Sequence, residues 1–450
     1  MSPADQHIGK RYLATALVLL CLGLIFGLMA GIFYLFPGFG NYALDFRYWR
    51  PMHVSAVVFW IILGATGCVY SGLDFFQPLH SPALARLQWY LWLFAIVGIY
   101  YSYLKGDFGG REYWEFNPVW ALPIALAWLL FLVNFIKSVR KIAQWPVYVW
   151  MWMTGLLFFL FSFTENYLWV FPYFREHFVT DTTIQWKVNG SLVGAWNQLL
   201  YGTAFFLMAR ISKNSGLGHS RLAFGMYFLG LFNLMFNWGH HIYTLPTDTY
   251  VRYTGYMVSM TEWVFFARIV YNWRQSVTDI QKHYYHFPYR FLMAADIWVL
   301  INLSQAIMMS IPAVNLYTHG THVTVAHAMG TTIGINTMIL LAACFEFLIG
   351  KNNVLNASNK WLNGCFWVIQ AALFIFWLSL NIAGVKKGIW QMSEPQLPFS
   401  KMMESLKIWF SVFVGSGVIL ATALFTLGFV LLRFQWTVSV SRKRVVDSKE

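Results

Sequence analysis

Twelve stretches of the chain are apolar for about 20 residues each, and no other feature limits the possible folds so strongly. They fall at approximately 12–36, 52–76, 87–104, 117–137, 146–171, 184–211, 221–245, 251–273, 290–312, 318–349, 360–385 and 405–433. So much apolar surface cannot be hidden in one water-soluble core. In a bilayer each stretch must satisfy its own backbone hydrogen bonds, which selects helices. The expected fold class is all-α, a polytopic membrane bundle of twelve transmembrane helices forming a single domain over residues 1–450. Composition agrees: 11% of residues are charged, where soluble proteins carry about 25%.

Charge sets the expected orientation. Lys10 and Arg11, Arg140 and Lys141, Arg210, Lys213, Arg221, Arg274, Lys282, Arg290 and Arg442 to Arg444 all fall on one side of such a bundle. The opposite loops carry Asp45, Asp107, Glu112, Glu115, Glu176, Asp181, Asp248 and Glu394. The positive-inside rule makes the basic face cytoplasmic, with both termini on it, as for a multi-pass protein of a bacterial inner membrane. The first apolar run lacks a small-residue cleavage signature and is expected to be retained as an anchor. The net charge of +13 sits in short loops between apolar runs, so it points to the lipid membrane and not to nucleic acid. The four cysteines form no CxxC and no CxxCH, which argues against covalent haem and against a thiolate zinc site.

The chemistry concentrates in histidines. Thr318 to Thr332 reads THGTHVTVAHAMGTT and places His319, His322 and His327 in or near the tenth run. Metal-binding side chains inside a membrane are expensive and so point to function. A step of two residues turns a helix by about 200°, so His327 and Met329 face opposite sides, where each can serve a different metal centre. A core histidine beside a packing methionine is the competing reading. His53 opens the second run from the acidic face, His240 and His241 close the seventh, and His327 lies a few turns into the tenth. Four histidines from three helices are thus expected at one depth. The vicinal pair sits about 100° apart on a helix, and both rings can reach one metal if the helix frays at Gly239. His80, His219, His283 and His286 fall in basic-face loops and are expected to be solvated.

These motifs together resemble the haem-copper oxidase superfamily, in particular the large subunit of cytochrome c-dependent nitric oxide reductases. The likeness rests on PMH at Pro51 to His53, GREYWE at Gly110 to Glu115, GHH at Gly239 to His241, SMTE at Ser259 to Glu262, and HGTHVTVAH at His319 to His327. The resemblance implies that His53 is an axial ligand of a low-spin haem b and His327 the proximal ligand of a high-spin haem b. It implies that His240 and His241 hold a second metal facing that haem, non-haem iron in reductases and copper in oxidases. It also implies that Glu262 is an acid beside this metal and that Glu112 binds a calcium ion bridging haem propionates, with Tyr70 a weaker candidate nearby. The electron donor it implies is a small cytochrome c subunit.

Three positions depart from that pattern. Met329 stands where the family has the second axial histidine of the low-spin haem. In VNGSLVGAWNQ on the sixth run, Asn189 stands at a metal-binding histidine and Val193 at a glutamate ligand, with Asn197 at a further family glutamate. Asn189 either ligates through its amide oxygen or hydrogen-bonds a neighbouring helix, and Glu262 has the same helix-bonding alternative. No tyrosine takes the place of the cross-linked tyrosine of the oxidases. Asp296 and Glu346 are too few to form a proton channel from the basic face, so protons are expected past Glu112, Glu115 and Glu165. The expected activity is reduction of nitric oxide to nitrous oxide. The alternatives are dismutation of nitric oxide, or a haem-bearing sensor or electron-transfer subunit without turnover.

Overall fold

The computed structural model describes residues 8–41, 44–259, 263–349 and 359–447. Eleven helices among the described residues are long and apolar enough to cross a membrane. The chain begins with α1 (Ile8–Ile32), α2 (Phe46–Leu73) and α3 (Pro82–Leu104). After these come α4 (Ala121–Val139), α5 (Val147–Asn166), α6 (Phe178–Ser212) and α7 (Arg221–Phe236). Next are the shorter α8 (Thr249–Ser259) and α9 (Trp263–Ser276), then α10 (His286–Ser310). The helix α11 starts at His322–Met329 and runs on to Ile349, followed by α12 (Lys360–Met392) and α13 (Phe399–Asp447).

The expected eighth span, 251–273, is described only in two helical parts. These are α8 and α9, and 260–262 lie outside the described residues. Gly225 packs beside Phe265, and Gly239 packs beside Val251 and Gly255, so α8 and α9 run back along α7. One element is not helical. Phe108–Arg111 (β1) and Trp114–Phe116 (β2) form an antiparallel hairpin between α3 and α4, so the fold is all-α apart from this piece. Tyr113 takes the left-handed conformation at its turn, with φ 71°.

Burial separates the centre of the bundle from its rim. The apolar windows of α2, α6 and α11 are 83%, 72% and 89% buried, against 33% for α3. The helices carrying His53, Asn189 and His327 thus sit in the middle, and α3 presents a largely exposed apolar surface such as lipid covers. Glycines set the close crossings. A Cβ at Gly67 would lie 2.9 Å from the Gly9 carbonyl oxygen, so α1 and α2 meet almost backbone to backbone, the small-residue packing of membrane helices.

The tenth run differs from a single helix. Pro312–Thr318 is a short helix of its own, the chain turns at Gly320 with φ +69°, and α11 starts at His322 with Thr321 as N-cap. Beyond Met329 the helix widens to π geometry over Gly330–Thr337 and again over Phe345–Ile349. Thr337 Oγ1 donates to the Thr332 carbonyl five residues back at 2.8 Å and accepts from Trp60 Nε1 of α2 at 3.0 Å. Gly330 and Gly334 press against Asn302 and Trp298 of α10, where any Cβ would collide. Such π segments occur often at functional sites, and this one begins immediately after the His327–Met329 pair.

Candidate metal centre

The site is assembled from helix ends and glycine gaps. Asn237–Ile242 is a 3-10 turn continuing α7, and His240 and His241 lie on it with ring centroids 4.3 Å apart and planes tilted by 36°. The expected fraying at Gly239 thus takes the form of a tighter turn. A 3-10 step turns neighbouring residues by about 120°, so the closeness of the two rings comes from their side-chain rotamers and not from the turn itself. Gly239 permits the turn, because a Cβ there would lie 2.6 Å from the Val251 carbonyl oxygen of α8.

His327 of α11 lies within electrostatic range of both His240 and His241, and His319 within range of His241. The tenth-run histidine thus lies on the same side of the bundle as the vicinal pair. Opposite them on α6, Gly190 leaves room for the His241 ring: a Cβ at Gly190 would sit 2.8 Å from its Nε2 and Cδ2. Asn189 is the neighbouring residue. It is 5% exposed, and neither its Oδ1 nor its Nδ2 has a hydrogen-bond partner. Buried amides almost always find partners, so one with both ends bare, next in sequence to the glycine that faces His241, is suited to holding a ligand. The expected helix-to-helix hydrogen bond of Asn189 is not formed. Val193 is partly buried against the core, and Asn197 Oδ1 is also unpartnered. Trp186 of the same helix meets His319, with centroids 5.8 Å apart.

His53 on α2 is prepared in a different way. Its Nδ1 lies 2.8 Å from the Gly23 carbonyl oxygen of α1. A carbonyl only accepts, so Nδ1 carries the proton and Nε2 keeps its lone pair, the form a metal-ligating histidine takes. Gly27, one turn along α1, makes the space: a Cβ there would fall 2.7 Å from Nδ1 and Cε1 of His53. Met329 packs partly buried against the main core, and lies before the π segment, so its 200° offset from His327 is retained. His322 is elsewhere. Its ring meets Phe410 at 5.0 Å and Tyr34 at 6.1 Å, an aromatic setting between α1 and α13.

The residues fit the groups expected of them in unequal degree. A haem iron can be held by His53, and another by His327, whose Nδ1 is buried without a protein partner. A second metal has the vicinal pair and, from α6, only a neutral amide. Among the described residues, no group of three His, Cys, Asp or Glu is placed to hold a metal ion. Glu262 lies outside the described residues.

The acidic face is organised around Arg50, one turn before His53. Arg50 donates to Glu115 Oε1 at 2.6 Å and to Glu112 Oε1 at 3.1 Å. Arg111, the sequence neighbour of Glu112, instead makes a two-point contact with Asp181 of α6 at 2.6 and 3.0 Å. That contact fastens the hairpin to α6, and the guanidinium also stacks 4.8 Å from the Trp169 ring. Burial pushes the Glu115 carboxyl up to about 7, against the opposing pull of Arg50. Tyr70 does not belong here. It lies 20 residues beyond Arg50 on the same helix, about 30 Å away, and donates to Gln88 Oε1 at 2.6 Å.

Sequence reasoning missed the glycine gaps at Gly27 and Gly190, because a glycine in an apolar helix has many uses. It also missed the pair of Lys187 and Glu165, in which Nζ lies 2.5 and 2.7 Å from the carboxylate oxygens. Nζ also lies 5.7 Å from the ring of Trp238, beside the histidine turn. The signal for it was present: a lysine within an apolar run needs a partner.

Eleven helices of spanning length and apolarity among the described residues, several of them carrying partly buried histidines, are the architecture of an integral membrane protein. The chain belongs to the family described as Cytochrome C and Quinol oxidase polypeptide I, whose pattern matches residues 7–439. It is thus a large subunit of the haem-copper oxidase superfamily, membrane oxidoreductases that bind haems and a metal centre. It is similar to a nitric oxide reductase subunit of Stutzerimonas stutzeri, 24% identical over 92% of each chain. Cytochrome c oxidase subunit 1 of Rhodobacter capsulatus is 22% identical over 90% of this chain and 79% of that one. The fold matches a solved haem-copper terminal oxidase dimer with TM-score 0.75 at 15% identity, covering 97% of this chain and 84% of that one.

Proposed function

We propose that this subunit reduces nitric oxide to nitrous oxide, with His53 and Met329 as axial ligands of a low-spin haem b and His327 as ligand of a high-spin haem b. His240, His241 and the Asn189 amide oxygen hold a non-haem iron in this reading. The reaction balances as two NO, two electrons and two protons giving N2O and water. When bound, the haems and iron supply the electrons and the positions at which the two nitrogens meet.

The chain's own residues do the rest. The Gly23 carbonyl fixes the His53 tautomer and ring plane. The vicinal rings stand 4.3 Å apart at the end of α7, close enough to serve one metal. Glu115, poised near neutrality, takes a proton from the acidic side and passes it inward, while Arg50 holds it beside the start of α2. Glu112 shares Arg50 and offers its second oxygen to a calcium ion. Electrons arrive from a separate donor, a small cytochrome c subunit, and the bundle lies in a bacterial inner membrane with both termini cytoplasmic.

The observation that carries this reading is the bare Asn189 amide on α6, next in sequence to the Gly190 gap that the His241 ring fills. The same observation favours one rival. An amide in place of histidine and valine in place of glutamate break the reductase ligand set, which leaves dismutation of two NO to N2 and O2 as the alternative chemistry. Metal analysis of the purified protein tests the assignment. It predicts two haems b, one non-haem iron and one calcium per chain. Two haems with no further metal would make it an electron-transfer or sensor subunit instead.

A further inference from the structure

The opposite, basic face carries a second site. A cleft of about 350 Å³ opens there between the end of α2, the start of α5 and the end of α6. Its floor is aromatic. Phe206 lies 5.7 Å from Phe75 and 5.6 Å from Tyr148, and Phe76 stacks on Tyr148 at 5.9 Å. Phe75 and Phe76 remain 50% and 40% exposed, so the apolar surface continues out of the cleft toward the lipid.

Its rim is cationic. Arg210 gives its Nε to Glu346 and lays its guanidinium 3.9 Å over the Phe75 ring. Its two terminal amino groups make no hydrogen bond among the described residues. The pair with Glu346 therefore fixes the plane of the guanidinium and leaves its outer edge to serve an anion, the two-point geometry that suits phosphate. Lys213 follows one turn later at the helix end, in the left-handed conformation with φ 52°, and is exposed at the rim with Ser215.

We infer that this cleft binds an anionic phospholipid, with the phosphate held by Arg210 and Lys213 and an acyl chain lying over Phe75 and Phe76. Basic pockets between helices at a membrane surface select such headgroups. The aromatic floor distinguishes a lipid from a free phosphate, which has no use for apolar surface. Aromatic rings with basic groups at the membrane rim also suit an amphipathic molecule that has one wet end.

The test is native mass spectrometry of the delipidated holoprotein, titrated with phosphatidylglycerol, phosphatidylcholine or inorganic phosphate. The wild type is expected to retain one phosphatidylglycerol about tenfold more tightly than phosphatidylcholine. Lys213→Glu should lose that preference. So should the double change Arg210→Gln with Glu346→Gln, which leaves no stranded buried acid. Both variants should keep the wild-type haem absorption. Equal retention of the two lipids by the wild type would overturn the inference. So would unchanged phosphatidylglycerol binding in both variants. Displacement of the lipid by millimolar inorganic phosphate would overturn it too, because the site would then read the anion alone.

Discussion

Replacing Asn189 with leucine separates a metal ligand from a packing residue by how the effect changes with bound metal. The side chains share the same branching and number of non-hydrogen atoms, and Asn189 is 5% exposed with both amide atoms unpartnered. Each buried unsatisfied polar group costs about 1–3 kcal/mol. In protein stripped of metal, Asn189→Leu should therefore stabilise by about 2 kcal/mol or more. In loaded protein that gain is offset. Losing one of three ligands and weakening metal binding 100-fold removes about 2.7 kcal/mol of ligand-linked stability. The assay is thermal unfolding of both proteins with and without a chelator, alongside a count of bound metal. The expected outcome is a variant that gains stability when empty, loses most of its metal-dependent gain, and is isolated with little non-haem iron. A variant that keeps a full metal complement and is more stable when loaded would show that the amide holds no metal.

Other expectations follow from the geometry. Gly27→Ala places a Cβ 2.7 Å from the His53 ring, an overlap that costs about 1–3 kcal/mol; the low-spin haem signal should fall while CO binding at the high-spin haem persists, and an unaltered low-spin spectrum would contradict the cradle. The oxidised wild type should show the weak near-infrared thioether-to-iron band, and Met329→His should lower the low-spin potential while keeping six-coordination. A bis-histidine spectrum in the wild type would remove Met329 from the axial position. Glu115 has a folded value of about 7 against an ordinary 4.5, so the native state binds the proton more tightly than the unfolded chain. Its contribution is most favourable at low pH and falls as pH rises from about 4.5 to 7, by about 3 kcal/mol in all. Unfolding midpoints should drop over that window in the wild type and much less in Glu115→Gln; parallel pH profiles would show that the acid is not buried.

Much of the fold is legible in the sequence because a membrane helix is specified locally, by length and apolarity. One run is described only in part. The 251–273 run holds Arg252, Glu262 and Arg268, and no helix of spanning length and apolarity stands there among the described residues. The hairpin at Phe108–Phe116 was hidden because its GREYWE stretch reads as a polar loop, and its order comes from Arg50 and Asp181 on distant helices. The histidines were singled out by their depth alone; His327 lies within electrostatic range of the vicinal pair, and His53 Nδ1 lies 2.8 Å from the Gly23 carbonyl oxygen. Partner choice was not readable: Arg111 is next to Glu112 in sequence, yet Glu112 pairs with Arg50. Nor were the spaces that glycines leave at Gly27 and Gly190, since an absent side chain gains meaning only from what fills its place.

The most direct measurement is the gas balance of the purified protein given isotopically labelled nitric oxide and a reduced electron donor. The account predicts one labelled N2O for every two NO consumed and two electrons drawn from the donor, with no O2 evolved. Labelled N2 appearing with O2, and no demand on the donor, would contradict it and assign the amide-bearing site to dismutation.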